Sequence, residues 1–195
     1  MPQKLVDKFV WDTSGCAKKP LPKSNVKPQN RTERISQNVF KEVLNGSTFP
    51  STCTLFVERL SGRLVKMELG CDWAARPDLL TFFHDHVTPP NIESLWGTQL
   101  TVHSSFAQDF WPFDLNLHHF SRQFPRRLTP KTWSRRDRML DVLRQWQKFE
   151  VNDNLENTTL RWGSNVLRER MLDFLQVDGT NMEDLAPLHL TFLWA

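Results

Sequence analysis

The chain of 195 residues carries 25 Lys and Arg against 22 Asp and Glu, a formal charge of +3, and its aromatic set is eight Trp and fourteen Phe with no Tyr. That length allows one or two domains with a real core, and no apolar run approaches the roughly twenty residues that cross a bilayer. The start lacks the hydrophobic stretch of a secretory signal, and Cys16, Cys53 and Cys71 are odd in number and too far apart for a disulfide framework or a zinc motif, so a soluble intracellular protein without membrane, metal or cofactor is expected.

Residues 1–34 are basic, with Lys4, Lys8, Lys18, Lys19, Lys23, Lys27, Arg31 and Arg34 against Asp7, Asp12 and Glu33. Pro20, Pro22 and Pro28 interrupt them, which reads as an extended, solvated tail. Residues 35–108 begin with a helical pattern through Val39, Phe40, Val43 and Leu44, ended at Gly46. The runs 53–60 and 63–70 are strand-like and joined by Ser61 and Gly62, a two-residue connection in which glycine can supply positive φ, so a β-hairpin is expected. Cys53 and Cys71 then read as small buried strand residues. Pro77 marks a helix start whose apolar face, Leu79, Leu80, Phe83 and Val87, is terminated by Thr88, Pro89 and Pro90. A further strand follows Gly97, with Leu100 and Val102 alternating. Hairpin, helix and strand in that order make a β-grasp-like domain.

Residues 109–128 hold Phe110, Trp111, Phe113 and Phe120 and are too aromatic for a free linker, so they read as a packed connection or an extra helix. The adjacent His118 and His119 have no Cys or acidic partner at ligand spacing and read as packed or solvated. In residues 129–195, Ser134 is an N-cap candidate for a helix starting near Arg135, with Met139, Val142, Leu143, Trp146 and Phe149 on one face. A second helix is expected from Asn165 to Leu175 through Val166, Leu167, Met171 and Phe174. A third follows Asn181, with Leu185, Leu188, Phe192 and Leu193 on one face and Pro187 in its first turn.

Trp133-Ser134, Phe149 in Lys148 to Val151, Gly163 to Leu167, Asp173-Phe174-Leu175 and Asp184-Leu185 running on to Leu193 resemble the Pointed domain, the SAM-type helical module of ETS-family transcription factors. In that family a Trp-Ser opens the first core helix, an aromatic ends it, a glycine precedes a leucine-rich turn, and a leucine-bearing helix closes the domain. The resemblance implies core roles for Trp133, Phe149, Gly163, Phe174, Leu185, Leu190 and Leu193. In the order of its elements the front half is similar to the ubiquitin-like domain that precedes the Pointed domain in the alpha subunit of GA-binding protein. The implied class is α+β, an N-terminal β-grasp-like (ubiquitin-like) domain followed by a C-terminal all-α SAM/Pointed-like bundle. The tyrosine-rich DNA reader of ETS proteins has no counterpart in a chain without Tyr.

Pointed domains bind proteins, so the resemblance implies a non-enzymatic interaction module. It would modulate transcription in the nucleus, with the cytoplasm as a second compartment, by occupying a Pointed-domain transcription factor, a signalling kinase or a coregulator. Thr88 and Thr129, each before a proline, are candidate sites for a proline-directed kinase. Truncating Phe174 or Trp133 to Ala is expected to abolish partner binding through loss of fold, each costing on the order of 3 kcal/mol or more as a buried aromatic truncation. Two alternatives have their own residues. A single-stranded nucleic-acid-binding protein would use the basic tail and the aromatics, with affinity falling as salt rises. A two-histidine phosphoesterase would use His103 with Ser105 and His189 with Thr191, one imidazole as base and the other as acid.

Overall fold

The computed structural model describes residues 32–67, 78–152, 164–175 and 182–193. Every regular element among them is helical, and no strand occurs among the described residues. The chain divides into two compact units, the first made of residues 1–36, 103–153 and 170–195 and the second of residues 37–102 and 154–169. No helix among the described residues is long and apolar enough to cross a membrane.

In the second unit the β-grasp expectation is overturned. After α1 (Thr32–Asn45), which ends at Gly46 as expected, α2 (Phe49–Val65) takes up the first strand, the supposed Ser61-Gly62 turn and the start of the second strand. Pro50 lies in the first turn of α2, where its missing amide hydrogen costs nothing. The Thr52 and Thr54 hydroxyls return to the carbonyls of Thr48 and Pro50, both at 3.0 Å, which accommodates these residues in a helix. The burial pattern shows why the strand reading fails. Phe56, Leu60, Leu64 and Met67 are half-buried at intervals of three and four, whereas Val57 and Val65 are exposed. Gly62 meets nothing within 4 Å and has no positive φ, so it is an ordinary exposed helix position. Cys53 is half-buried on this helix, and Cys71 falls outside the described residues.

α3 (Leu79–Phe82) is capped by Asp78, whose carboxylate accepts from the Thr81 amide and the Thr81 hydroxyl, each at 2.7 Å. Its expected apolar face is exposed at Leu79, Leu80 and Phe83. Pro89 and Pro90 do not terminate the helix. Lacking amide hydrogens, they leave the preceding carbonyls without the usual partners, and the chain widens into a π-turn (Phe83–Val87) before α4 (Thr88–Trp96). Thr88 closes that turn with both its amide and its hydroxyl on the Phe83 carbonyl. Gly97, at φ 76°, ends α4. α5 (Thr98–Val102) replaces the strand expected there. Leu100 is fully buried and Val102 is 70% exposed. In a strand these two share a face, but around a helix they stand roughly 200° apart. α2 and α5 both pack on α4.

The first unit is built on α6 (Ser104–Asp114), α7 (Leu117–Ser121), α8 (Pro130–Asn152) and α10 (Met182–Leu193), with α9 (Asn165–Leu175) contributing from Arg170 onward. The aromatic connection is packed helix: Phe106, Phe113 and Phe120 are buried, and α6 lies against α8. α8 begins at Pro130, not near Arg135. Ser134 lies inside it and accepts from Arg138 at 2.8 Å instead of capping a turn. Met139, Val142, Leu143 and Trp146 form its buried stripe as expected, while the Phe149 side chain is outside the described set. Met171 and Phe174 of α9 pack with Leu185 of α10, flanked by Leu175 and Leu188. Pro187 is the sixth residue of α10, beyond its first turn.

Candidate functional site

The most unusual chemistry in the first unit is a charged side chain on an apolar stripe. Along α9, Leu167, Arg170, Met171 and Phe174 recur at three and four, which turns Arg170 inward with its neighbours. The side chain is 1% exposed. Its guanidinium donates through Nη1 to His189 Nδ1 at 3.0 Å and through Nη2 to the Leu188 carbonyl at 3.0 Å, and it lies 4.6 Å from the centre of the Phe174 ring one turn ahead. His189, fully buried on α10, makes a T-shaped contact with the Trp146 ring of α8 at 5.4 Å between ring centres. Three helices therefore converge on one arginine and one imidazole.

The protonation states follow from donor counting. Arg has donors only, so Nδ1 of His189 must offer its lone pair, and the proton of the neutral ring sits on Nε2. Burial first, and then the Arg170 charge, hold His189 well below the usual imidazole range. Burial also pulls the Arg170 guanidinium down to about 9, which still leaves it a cation at neutral pH. The pair is a buried cation solvated by a neutral imidazole, a carbonyl and a ring face.

Two further polar clusters are structural clasps. In the first unit Asp109, 6% exposed, takes a two-pronged bond from Arg138, Nε to Oδ2 and Nη2 to Oδ1 at 2.6 Å each, tying α6 to α8. In the second unit the buried Glu93 carboxylate accepts from Arg59 at 3.1 Å and from Arg63 and Thr101 at 2.8 Å each, joining α2, α4 and α5.

The residues singled out from sequence are scattered over these elements. Phe174, Leu185 and Leu190 are buried, Leu193 is half-buried, and Gly163 lies outside the described residues. Trp133 is half-buried, against Phe120 at 4.9 Å and under the Arg136 guanidinium at 4.5 Å. Thr88 Oγ1 is engaged on Phe83, and Thr129 Oγ1 is shielded from solvent. His103 occupies the turn into α6 and Ser105 follows it half-buried, whereas His189 is packed with Arg170 and Trp146 among its neighbours. The Thr191 side chain is outside the described set. The rings of His118 and His119 lie 4.2 Å apart, tilted at 59° to each other, and His119 Nδ1 lies 3.0 Å from the Thr132 hydroxyl. No group of three or more His, Cys, Asp or Glu suited to a metal ion occurs among the described residues. Sequence reasoning missed Arg170, Glu93 and Asp109. A charged residue at the apolar spacing of its helix was the signal available for Arg170.

The chain is similar to two curated proteins. Over 133 residues it is 29% identical to cytochrome P450 monooxygenase fsoE of Humicola fuscoatra, covering 64% of this chain and 23% of that protein. Over 174 residues it is 28% identical to cytochrome P450 monooxygenase calL of Penicillium decumbens, covering 84% of this chain and 32% of that protein. The chain thus spans about a quarter to a third of the length of the relatives it matches. No family model matches the chain. No solved structure matches it either.

Proposed function

We propose that this chain is a helical part of a monooxygenase of the cytochrome P450 kind, one whose described residues brace the fold without supplying the ligand of the iron. A single observation carries the reading: two relatives bear that same description, and the match to the second covers 84% of the chain and so reaches both compact units. In such enzymes the haem iron is held by a cysteine thiolate, which pushes electron density toward cleavage of the O–O bond.

Cys53, the described cysteine, does not fit that role. A thiolate ligand is favoured where cations or free helix amides stabilise its charge. Cys53 lies within the regular run of α2, and the basic residues that follow it on the helix, Arg59 and Arg63, are engaged by Glu93. What the described residues do provide is a set of packed helices closed by buried polar clasps. The interaction-module, nucleic-acid and two-histidine readings rest on sequence pattern alone, and neither relative is described in those terms.

Haem titration of the purified chain, followed by the spectrum of its ferrous carbon monoxide complex, tests the division of labour. The expected result is that Cys53→Ser leaves the spectrum as the wild-type chain gives it. A band of the thiolate-ligated type from the wild-type chain, lost in Cys53→Ser, would contradict it.

A further inference from the structure

Independently of the monooxygenase reading, we propose that the α7–α8 connection and the opening turn of α8 form a docking surface for an acidic amphipathic segment of a partner protein. Phe124 and Leu128 are its apolar centre, and Arg122, Arg127 and Lys131 are its cationic rim. Residues 122–138 hold seven basic residues against one acidic, a charge of +6 within a chain of +3, so the remainder of the chain is net negative. A surface that concentrates one sign in this way selects a partner of the other.

The carboxylates near this stretch are already shared. Asp137 takes Arg126 and Arg136 at 2.7 Å each, and Asp109 takes Arg138 at 2.6 Å with Arg135 at 3.9 Å. Arg122, Arg127 and Lys131 are exposed and have no carboxylate at ion-pair distance among the described residues. Among them the fold leaves two large apolar side chains outside, Phe124 at 37% and Leu128 at 71% exposure. An apolar centre with a charged rim is the make-up of an interface.

The connection is also held in shape. The Arg122 and Gln123 amides close α7 on the His118 and Phe120 carbonyls, and Gln123 takes φ 57°, a left-handed conformation that costs a non-glycine residue energy and turns the chain back. The Phe124 amide then donates to the His119 carbonyl, and its ring lies 5.7 Å from the His119 ring, whose Nδ1 sits 3.0 Å from the Thr132 hydroxyl of α8. The Leu128 amide donates to the Pro125 carbonyl at 2.9 Å, a turn that returns Leu128 beside the residue following Phe124. Arg126 fastens this turn to Asp137. Burial, then the charges of His118 and Arg122, hold His119 below the usual imidazole range, so at neutral pH the positive charge comes from arginine and lysine. A partner meeting so fixed a loop loses little affinity to ordering it.

An acidic protein segment fits this chemistry better than a nucleic acid or a lipid surface. Base stacking needs open aromatic faces, and the neighbouring Trp133 is half-buried with Arg136 across it. A bilayer surface takes a continuous apolar face, and here arginines stand between Phe124 and Leu128 in the chain. The arginines of this stretch already grip carboxylates in pairs, a pattern that acidic side chains from a partner extend to the remaining cations.

Fluorescence anisotropy of a labelled helical peptide, with glutamates along one face and leucines along the other, tests the surface with the full chain at low salt. The wild-type chain should bind the peptide, and the double variant Arg127→Glu, Lys131→Glu should weaken binding by about tenfold or more. The double variant Lys41→Glu, Lys66→Glu makes the same change of net charge at exposed positions of the second unit and should bind as the wild type does. Leu128→Ser should weaken binding by about threefold and leave its salt dependence unchanged. No binding by the wild-type chain overturns the proposal, as does an equal loss in the two double variants. Tighter binding of an oligothymidylate, or of vesicles containing phosphatidylserine, than of the peptide overturns it as well. Should the first double variant lose the wild-type circular dichroism, Arg122→Glu takes its place, with a loss of about threefold expected and an unchanged affinity overturning the proposal.

Discussion

At the scale of single residues, burial separates side chains that the sequence places on an equal footing. Phe174 and Trp133 both stand at aromatic anchor positions, yet Phe174 is fully buried while Trp133 is half-buried with Arg136 across its face. Truncation costs the lost transfer energy plus a cavity, and only a closed site leaves a full cavity. Phe174→Ala should therefore cost about 3 to 5 kcal/mol and Trp133→Ala about half that or less, measured by urea unfolding. Equal losses would mean that the Trp133 site is as closed as the Phe174 site. The same scale shows what a pattern of apolar residues hides. Val166, Leu167, Met171 and Phe174 were legible as a core face, and Arg170 was not, because an arginine on such a face is ordinarily assigned to solvent. It becomes legible only with its partners, and those lie on α10 at a sequence separation no local rule spans.

At the scale of elements, α8, α9 and α10 were readable because their apolar residues recur at one helical period. α2 was not. Residues 53–60 are rich in the Thr, Leu, Phe and Val that also suit strands, and Ser61-Gly62 imitates a hairpin turn. What decides is burial on α4, which selects the 3.6-residue face over the alternating one. The π-turn was equally hidden, since a Pro-Pro pair ordinarily stops a helix and here only widens it. Gly62 separates the two accounts of residues 53–65. On an exposed helix position with open space around it, Gly62→Ala should stabilise the protein by about 0.5 to 1 kcal/mol, read from the thermal or urea midpoint. A hairpin glycine at positive φ would instead make the substitution destabilising.

At the scale of the whole molecule, each compact unit is assembled from discontinuous stretches of chain, which a division of the sequence into successive domains does not anticipate. Each unit holds its own buried carboxylate clasp, Asp109 with Arg138 in the first and Glu93 with Arg59 and Arg63 in the second. Each carboxylate has more than one cation at hand, Arg135 approaching Asp109 at 3.9 Å beside Arg138 and the two arginines sharing Glu93, so that a buried charge is kept paired. Function was the least legible level. The motif vocabulary of a sequence finds glycine loops, paired histidines and cysteine spacings, and the described residues carry packed helices and buried polar contacts instead.

The direct measurement is a chimera in which this chain replaces the matched segment of the Penicillium decumbens relative, monitored by far-ultraviolet circular dichroism and by the ferrous carbon monoxide spectrum. If the chain is an equivalent helical part, the chimera should fold and show thiolate-ligated haem supplied by the rest of the relative. A chimera that folds with the expected helix content and binds no haem would contradict the account.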